Sequence, residues 1–218
     1  MKRVFLILIA LIGFGISVHA QKKVKTINVI PDNAKIMIGG MEVATGQYLL
    51  TFKKQDYIVL KLTADGYVER TVRIYKSDKG NTFTFKLEID DSFAASEINS
   101  DLANRSFQVT TKRGPDEVWK RLIYYVTEAF PQMEITDKSA GWIRSGWEFQ
   151  SFPTAGVTIR TRIEIKEVPG MEILTYKVML QSEYASSTCG RGDQCFRKWD
   201  RVLKRYIKLV EDLRNSLN

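Results

Sequence analysis

The chain has 218 residues, 33 Lys and Arg against 25 Asp and Glu, and a single histidine, for a formal charge of +8 at pH 7. Charges of both signs are interspersed: residues 21–92 hold 12 basic and 9 acidic, and residues 93–218 hold 19 and 16. That spread excludes the concentrated basic stripe of a nucleic-acid footprint and suits a solvated surface.

Lys2 and Arg3 precede an apolar run over 4–18, which closes on Val18-His19-Ala20. A charged start, an apolar centre and a small residue at the cut are expected of a secretory signal peptide over 1–20. The run is shorter than the roughly 20 apolar residues that a membrane-spanning helix needs, and no later stretch reads as a span. Cleavage after Ala20 leaves 198 residues, 31 basic against 25 acidic, with no histidine. The commonest general base and the commonest metal ligand are thereby lost. The expectation is an exported protein of the periplasm or cell surface, without enzymatic activity, metal or cofactor.

Residues 24–90 read as short strands and turns without a helix. Residues 24–30 alternate polar and apolar, and Pro31-Asp32-Asn33 is a turn signal. Ala34, Ile36 and Ile38 share one face of the next strand, and Gly39-Gly40 permits a reversal. Strands are expected again over 48–52 and 57–62, the latter with Tyr57, Val59 and Lys61 opposite Ile58, Leu60 and Leu62. Asp65-Gly66 turns the chain before a last pair over 68–75 and 82–89. Such a run of short strands predicts a small all-β sandwich.

Pro31, Ala34, the strand ending at Gly39-Gly40, Gly46 before a strand, and the apolar strand running into Gly66-Tyr67 together resemble the PEGA domain. Pro31-Asp32-Asn33-Ala34 keeps only the Pro and Ala of that family's name motif. The resemblance implies an accessory β-module of envelope proteins, with a glycan or protein contact and no catalytic residues to carry over. Tyr48, Tyr57 and Tyr67 are the candidate contacts here, against the plainer reading that they plug the ends of a thin core.

Strand periodicity stops at Asp90-Asp91-Ser92, so a polar linker is expected over 91–96 and a second domain over 97–218. Residues 97–104 read as a helical turn or irregular chain. Pro115 at a first helical position, Asp116 and Glu117 behind it, and Val118, Leu122, Val126 and Ala129 in step predict a helix that Pro131 ends. Alternating strands follow over 132–136 and 142–149, with Ile143, Ser145, Trp147 and Phe149 assigned to one face. Along 156–168, Val157, Ile159, Thr161, Ile163 and Ile165 face one way, and Thr158, Arg160, Arg162, Glu164 and Lys166 the other. That is the pattern of a half-wet antiparallel strand. Pro169-Gly170 turns it into a return strand over 171–183, and a closing helix is predicted from Phe196 through Trp199, Leu203, Tyr206, Val210 and Leu213. The fold class expected is α+β, an antiparallel sheet packed by helices. The helix from Pro115, the strands through Gly141-Trp142, the 157–179 hairpin and the terminal helix resemble the helix-grip domain of the BamC-like envelope lipoprotein group. The resemblance implies a scaffold or partner-binding domain, although the lipid-anchoring cysteine of that group is missing.

The two cysteines, Cys189 and Cys195, enclose two glycines and are expected to form a local disulfide at the start of the last helix. Two thiolates with five residues between them fit neither a dithiol redox motif nor a closed zinc site. Arg160 and Arg162 are candidate partner contacts on a charged strand face, against the plainer reading of cross-strand ion pairs. Glu134 and Glu148 are the one carboxylate pair to weigh for glycoside hydrolysis, and nothing in the sequence sets their separation. The function expected is a non-catalytic envelope scaffold or binding module for a protein partner or cell-wall glycan. The alternative is a carrier of small apolar ligands in a helix-grip cavity.

Overall fold

The computed structural model describes residues 24–99, 101–190 and 192–217. The expected signal peptide over 1–20 lies outside the described residues. Strands dominate, arranged in several sheets, and a helix closes the chain. No helix among the described residues is long and apolar enough to cross a membrane.

The N-terminal strands are β1 (Val24–Ile30), β2 (Lys35–Ile38), β3 (Met41–Thr45), β4 (Gln47–Thr51), β5 (Tyr57–Thr63), β6 (Arg70–Tyr75) and β7 (Thr82–Lys86). They form a three-stranded sheet ordered β4-β1-β7 and a four-stranded sheet ordered β3-β2-β5-β6. Alternation decides the core, because each strand turns every second side chain inward. Ile27, Val29 and Leu50 from the first sheet meet Ile36, Ile58, Leu60, Leu62 and Ile74 from the second in one hydrophobic cluster. Gly46 has a φ of 69°, and a Cβ there would stand 2.3 Å from the Asp32 carbonyl oxygen, so only glycine lets this hairpin close.

Residues 91–96 are structured, which the sequence reading did not expect. Asp90 caps α1 (Asp91–Ala94) by accepting the Phe93 N–H at 2.9 Å. Next comes β8 (Ser96–Ile98), which pairs with β16 (Arg201–Leu203) far along the chain. Phe93 stands at the junction: its ring packs on Gly66, and the Arg201 guanidinium lies 4.0 Å from its centroid. Asp91 accepts N–H bonds from Thr154 and Ala155 at 3.2 and 2.9 Å. Small polar residues read as a tether because their partners are more than 60 residues away.

Beyond the junction lie β9 (Ser106–Thr111), α2 (Pro115–Ala129), β10 (Met133–Asp137), β11 (Trp142–Ser145), β12 (Glu148–Phe152), β13 (Val157–Glu167), β14 (Leu174–Ser186) and β15 (Arg197–Lys198), with α3 (Lys204–Leu217) after β16. The large sheet runs β10-β11-β13-β14-β15, with β12 also on β13 and β9 also on β14. Helices α2 and α3 both pack on its inner face. Val118, Leu122 and Val126 of one and Tyr206, Val210 and Leu213 of the other are buried with Ile143, Ile159, Ile163, Ile165 and Val178 of the sheet. Phe130 and Tyr206 stack nearly parallel at 4.9 Å between centroids.

The last helix begins at Lys204, eight residues later than predicted. Phe196 and Trp199 share its spacing, but their segment is extended and pairs with β14 and β8. Tertiary pairing overrode a helical period at this point.

Candidate functional site

The outer face of the large sheet carries an extended constellation of aromatic and ionic side chains that the helices leave uncovered. It starts from β13, whose strict alternation sends Arg160, Arg162, Glu164 and Lys166 away from the helices. Arg160 stands in register with Glu183 on β14 and gives it two hydrogen bonds, from Nε at 2.8 Å and Nη2 at 2.6 Å. Its guanidinium also lies 4.2 Å from the ring centroids of both Trp147 and Phe196. Arg162 lies 4.2 Å from the Trp147 centroid, so Phe196, Arg160, Trp147 and Arg162 form a ladder of alternating rings and cations.

A second group continues along the same face. Glu134 receives Arg144 at 2.9 Å and Arg162 at 3.6 Å. The Trp142 indole donates to Glu164 at 2.9 Å, and the Lys166 ammonium lies 4.9 Å from the Trp142 ring. Burial pulls the Arg162 guanidinium below its usual pKa, while the Glu134 carboxylate opposes that shift. The two candidate arginines thus differ. Arg160 has a side chain only 6 % exposed and is neutralised by Glu183, so it shapes the face from within. Arg162 keeps 20 % exposure and can still meet an incoming group.

Trp147 and Phe149 are expected on the face they share with Ile143 and Ser145, but that face is buried and the structure places both on the opposite one. The cause is a bulge. Arg144 stands opposite Glu164, but Glu148 stands opposite Thr161, so four steps on one strand match three on the other. One extra residue inverts every later side chain. Gly146, where the strand breaks, was the available signal. The ladder's other members, Phe196 and Glu183, are recruited from distant chain positions, and nothing local in the sequence marks them.

Inversion also separates the two carboxylates weighed for hydrolysis. Glu134 lies on the outer face with Arg144, whereas Glu148 shares the inner face with Thr161. With the sheet between them they cannot flank one glycosidic bond.

The disulfide joins Cys189 and Cys195 as expected. Its loop leads into Phe196 and β15 rather than into the last helix, so it holds one end of the ladder.

The three candidate tyrosines do not form one platform. Tyr48 and Tyr57 flank a shallow trough at one end of the N-terminal sheets, with Ile38, Lys54, Gln55 and Ile58 between them. Tyr67 packs on the core past the turn that follows the far end of β5, where it bridges to Ile89. Tyr75, which pairs with Tyr57 at 5.7 Å between centroids, completes the exposed aromatic cluster.

Among the described residues, no group of three or more His, Cys, Asp or Glu is placed to hold a metal ion. No family model matches this chain, and comparison with curated proteins finds no relative.

Proposed function

We propose that the chain is an exported, non-catalytic binding protein of the cell envelope, with a PEGA-like module over 24–90 and a helix-grip-like module over 97–218. The observation that carries this reading is the outer face of the large sheet. Trp, Phe and Arg are the side chains that dominate protein interfaces, and Trp142, Trp147, Arg144 and Arg162 stand there in fixed positions, partly exposed. Fixing them before a partner arrives removes an ordering cost from binding. The Cys189–Cys195 bridge supports export, because such bridges persist in oxidising compartments.

The carrier alternative has the packing against it. A ligand cavity would lie between helices and sheet, where Val118, Leu122, Val126, Ile163 and Val210 are fully buried. The wider openings are surface clefts.

Capture from the native envelope tests the reading, using the chain from Gln21 onward beside its Arg162→Glu and Trp142→Ala variants. One protein enriched by the parent chain and lost with both variants is the expected result. Equal enrichment by all three chains, or none by any, overturns the outer face as the contact surface.

A further inference from the structure

The trough between Tyr48 and Tyr57 belongs to the N-terminal sheets and shares no residue with the outer face of the large sheet. It opens because β2 stops at Ile38, where Gly39-Gly40 turns the chain, while β5 runs on from Tyr57. The pairing of β2 with β5 spans only Lys35 to Met37, so β2 does not pair with 57–60. Two contiguous hollows of about 530 and 510 Å³ result, sharing Ile38, Lys54, Gln55 and Ile58. Tyr48 borders one and Tyr57 the other.

We propose that this trough binds a linear polysaccharide that bears carboxylates. The proposal rests on the reading of the chain as an exported binding protein, and three features support it. First, Tyr57 is 46 % exposed yet held in place, with the Arg73 guanidinium 4.7 Å from its centroid and the Tyr75 ring beside it. A ring fixed in this way offers a flat π surface to the slightly positive C–H face of a pyranose, at little ordering cost. Second, Lys53 and Lys54 are exposed on the rim, and neither ammonium has an ion-pair partner among the described residues. Asp56 is the one acid on that rim, so the local charge favours an anion. Third, two shallow hollows in a row suit a chain laid across them, whereas a small molecule is bound by near-complete enclosure. Gln55, at the shared rim, supplies both a donor and an acceptor for hydroxyl groups.

Affinity electrophoresis of the chain from Gln21 onward tests the site, with polygalacturonate, dextran and polyglutamate as probes. Polyglutamate matches the charge without sugar rings, and dextran has rings without charge. The parent chain is expected to bind polygalacturonate at least tenfold more tightly than either. Tyr57→Ala should weaken that binding about tenfold, and the charge-removing Lys53→Gln, Lys54→Gln double variant should weaken it and flatten its salt dependence. Arg162→Glu, on the other surface, should leave it unchanged. Equal binding of polyglutamate would mark the site as one for acidic peptides and overturn the proposal. So would parental affinity in Tyr57→Ala, or loss of binding in Arg162→Glu. Binding that survives Arg162→Glu while partner capture fails would sink the outer face and leave this site standing.

Discussion

Lys25 is 1 % exposed, with its ammonium donating to the Asp78 carbonyl at 2.8 Å and lying 4.9 Å from the Phe83 ring. One carbonyl and two nearby rings, Phe83 and, at 5.9 Å, Phe52, replace only part of the water that a lysine gives up on burial. Lys25→Met keeps the stem and removes the charge, so it is expected to be neutral or to stabilise by up to about 1 kcal/mol in urea unfolding. A loss of more than about 2 kcal/mol would show that the ammonium is needed to hold the 76–81 loop. Tyr206 sets a different response. Burial pushes its phenol up to about 12 against the pull of Arg205, with Glu148 adding to the rise. The folded value lies above the unfolded one near 10, so this contribution is complete below pH 10 and is lost as pH climbs toward 12. Tyr176 is pushed up to about 12 as well, by burial and by Glu167. Urea midpoints are therefore expected to fall between pH 10 and 12, and Tyr206→Phe should fall less steeply. An identical slope in the variant would contradict this assignment.

At the scale of elements, the ladder ties β12, β13 and β14 to the segment that follows the disulfide. Trp147 sits within 4.2 Å of two guanidinium groups, so Trp147→Ala removes both stacks at once. A cost of roughly 2–4 kcal/mol is expected from the lost packing and cation–π contacts. The disulfide acts on the same element from its other end. Replacing Cys189 and Cys195 with serine should lower stability by about 2–3 kcal/mol and speed amide exchange at 196–198, where Phe196 leaves the face. Unchanged exchange there would separate the bridge from the ladder. Most of these elements were legible in the sequence: six of the seven N-terminal strands, the helix from Pro115 and the long hairpin each carry their own period. The inner set Ile159, Thr161, Ile163 and Ile165 was read correctly because β13 runs unbroken. Failure came at Trp147, where one bulge residue reversed the faces, and at Phe196, where an extended segment shared a helical spacing. Of the candidate contacts, Arg162, Tyr48 and Tyr57 keep solvent-exposed surface, while Arg160 is paired with Glu183 and Tyr67 packs on the core.

At the scale of the whole molecule, the junction at 89–98 governs how the N-terminal sheets connect to the large one. Asp90 N–H donates to the Gly66 carbonyl at 2.9 Å, while Arg201 donates from Nε to Ser96 Oγ at 2.8 Å and lies over Phe93. Asp91→Ala removes the acceptor of three backbone N–H groups, those of Ser92, Thr154 and Ala155, and is expected to cost about 1–2 kcal/mol. Faster amide exchange at Thr154 and Ala155 should accompany it, and parental rates there would show that the contact does not couple the segments. The sequence by itself determined most of the strands, the helix from Pro115 and the buried faces of unbroken elements, because periods of two and three to four residues are local properties of a chain. It also singled out the cysteine pair. Only the tertiary structure decided which side chains share a surface: Phe196 beside Arg160, Glu183 beneath them, Tyr48 across a trough from Tyr57, and Asp91 on a turn 63 residues away. Those meetings depend on register, on one bulge and on sheet order, and pairing between distant segments leaves no periodic trace in either of them.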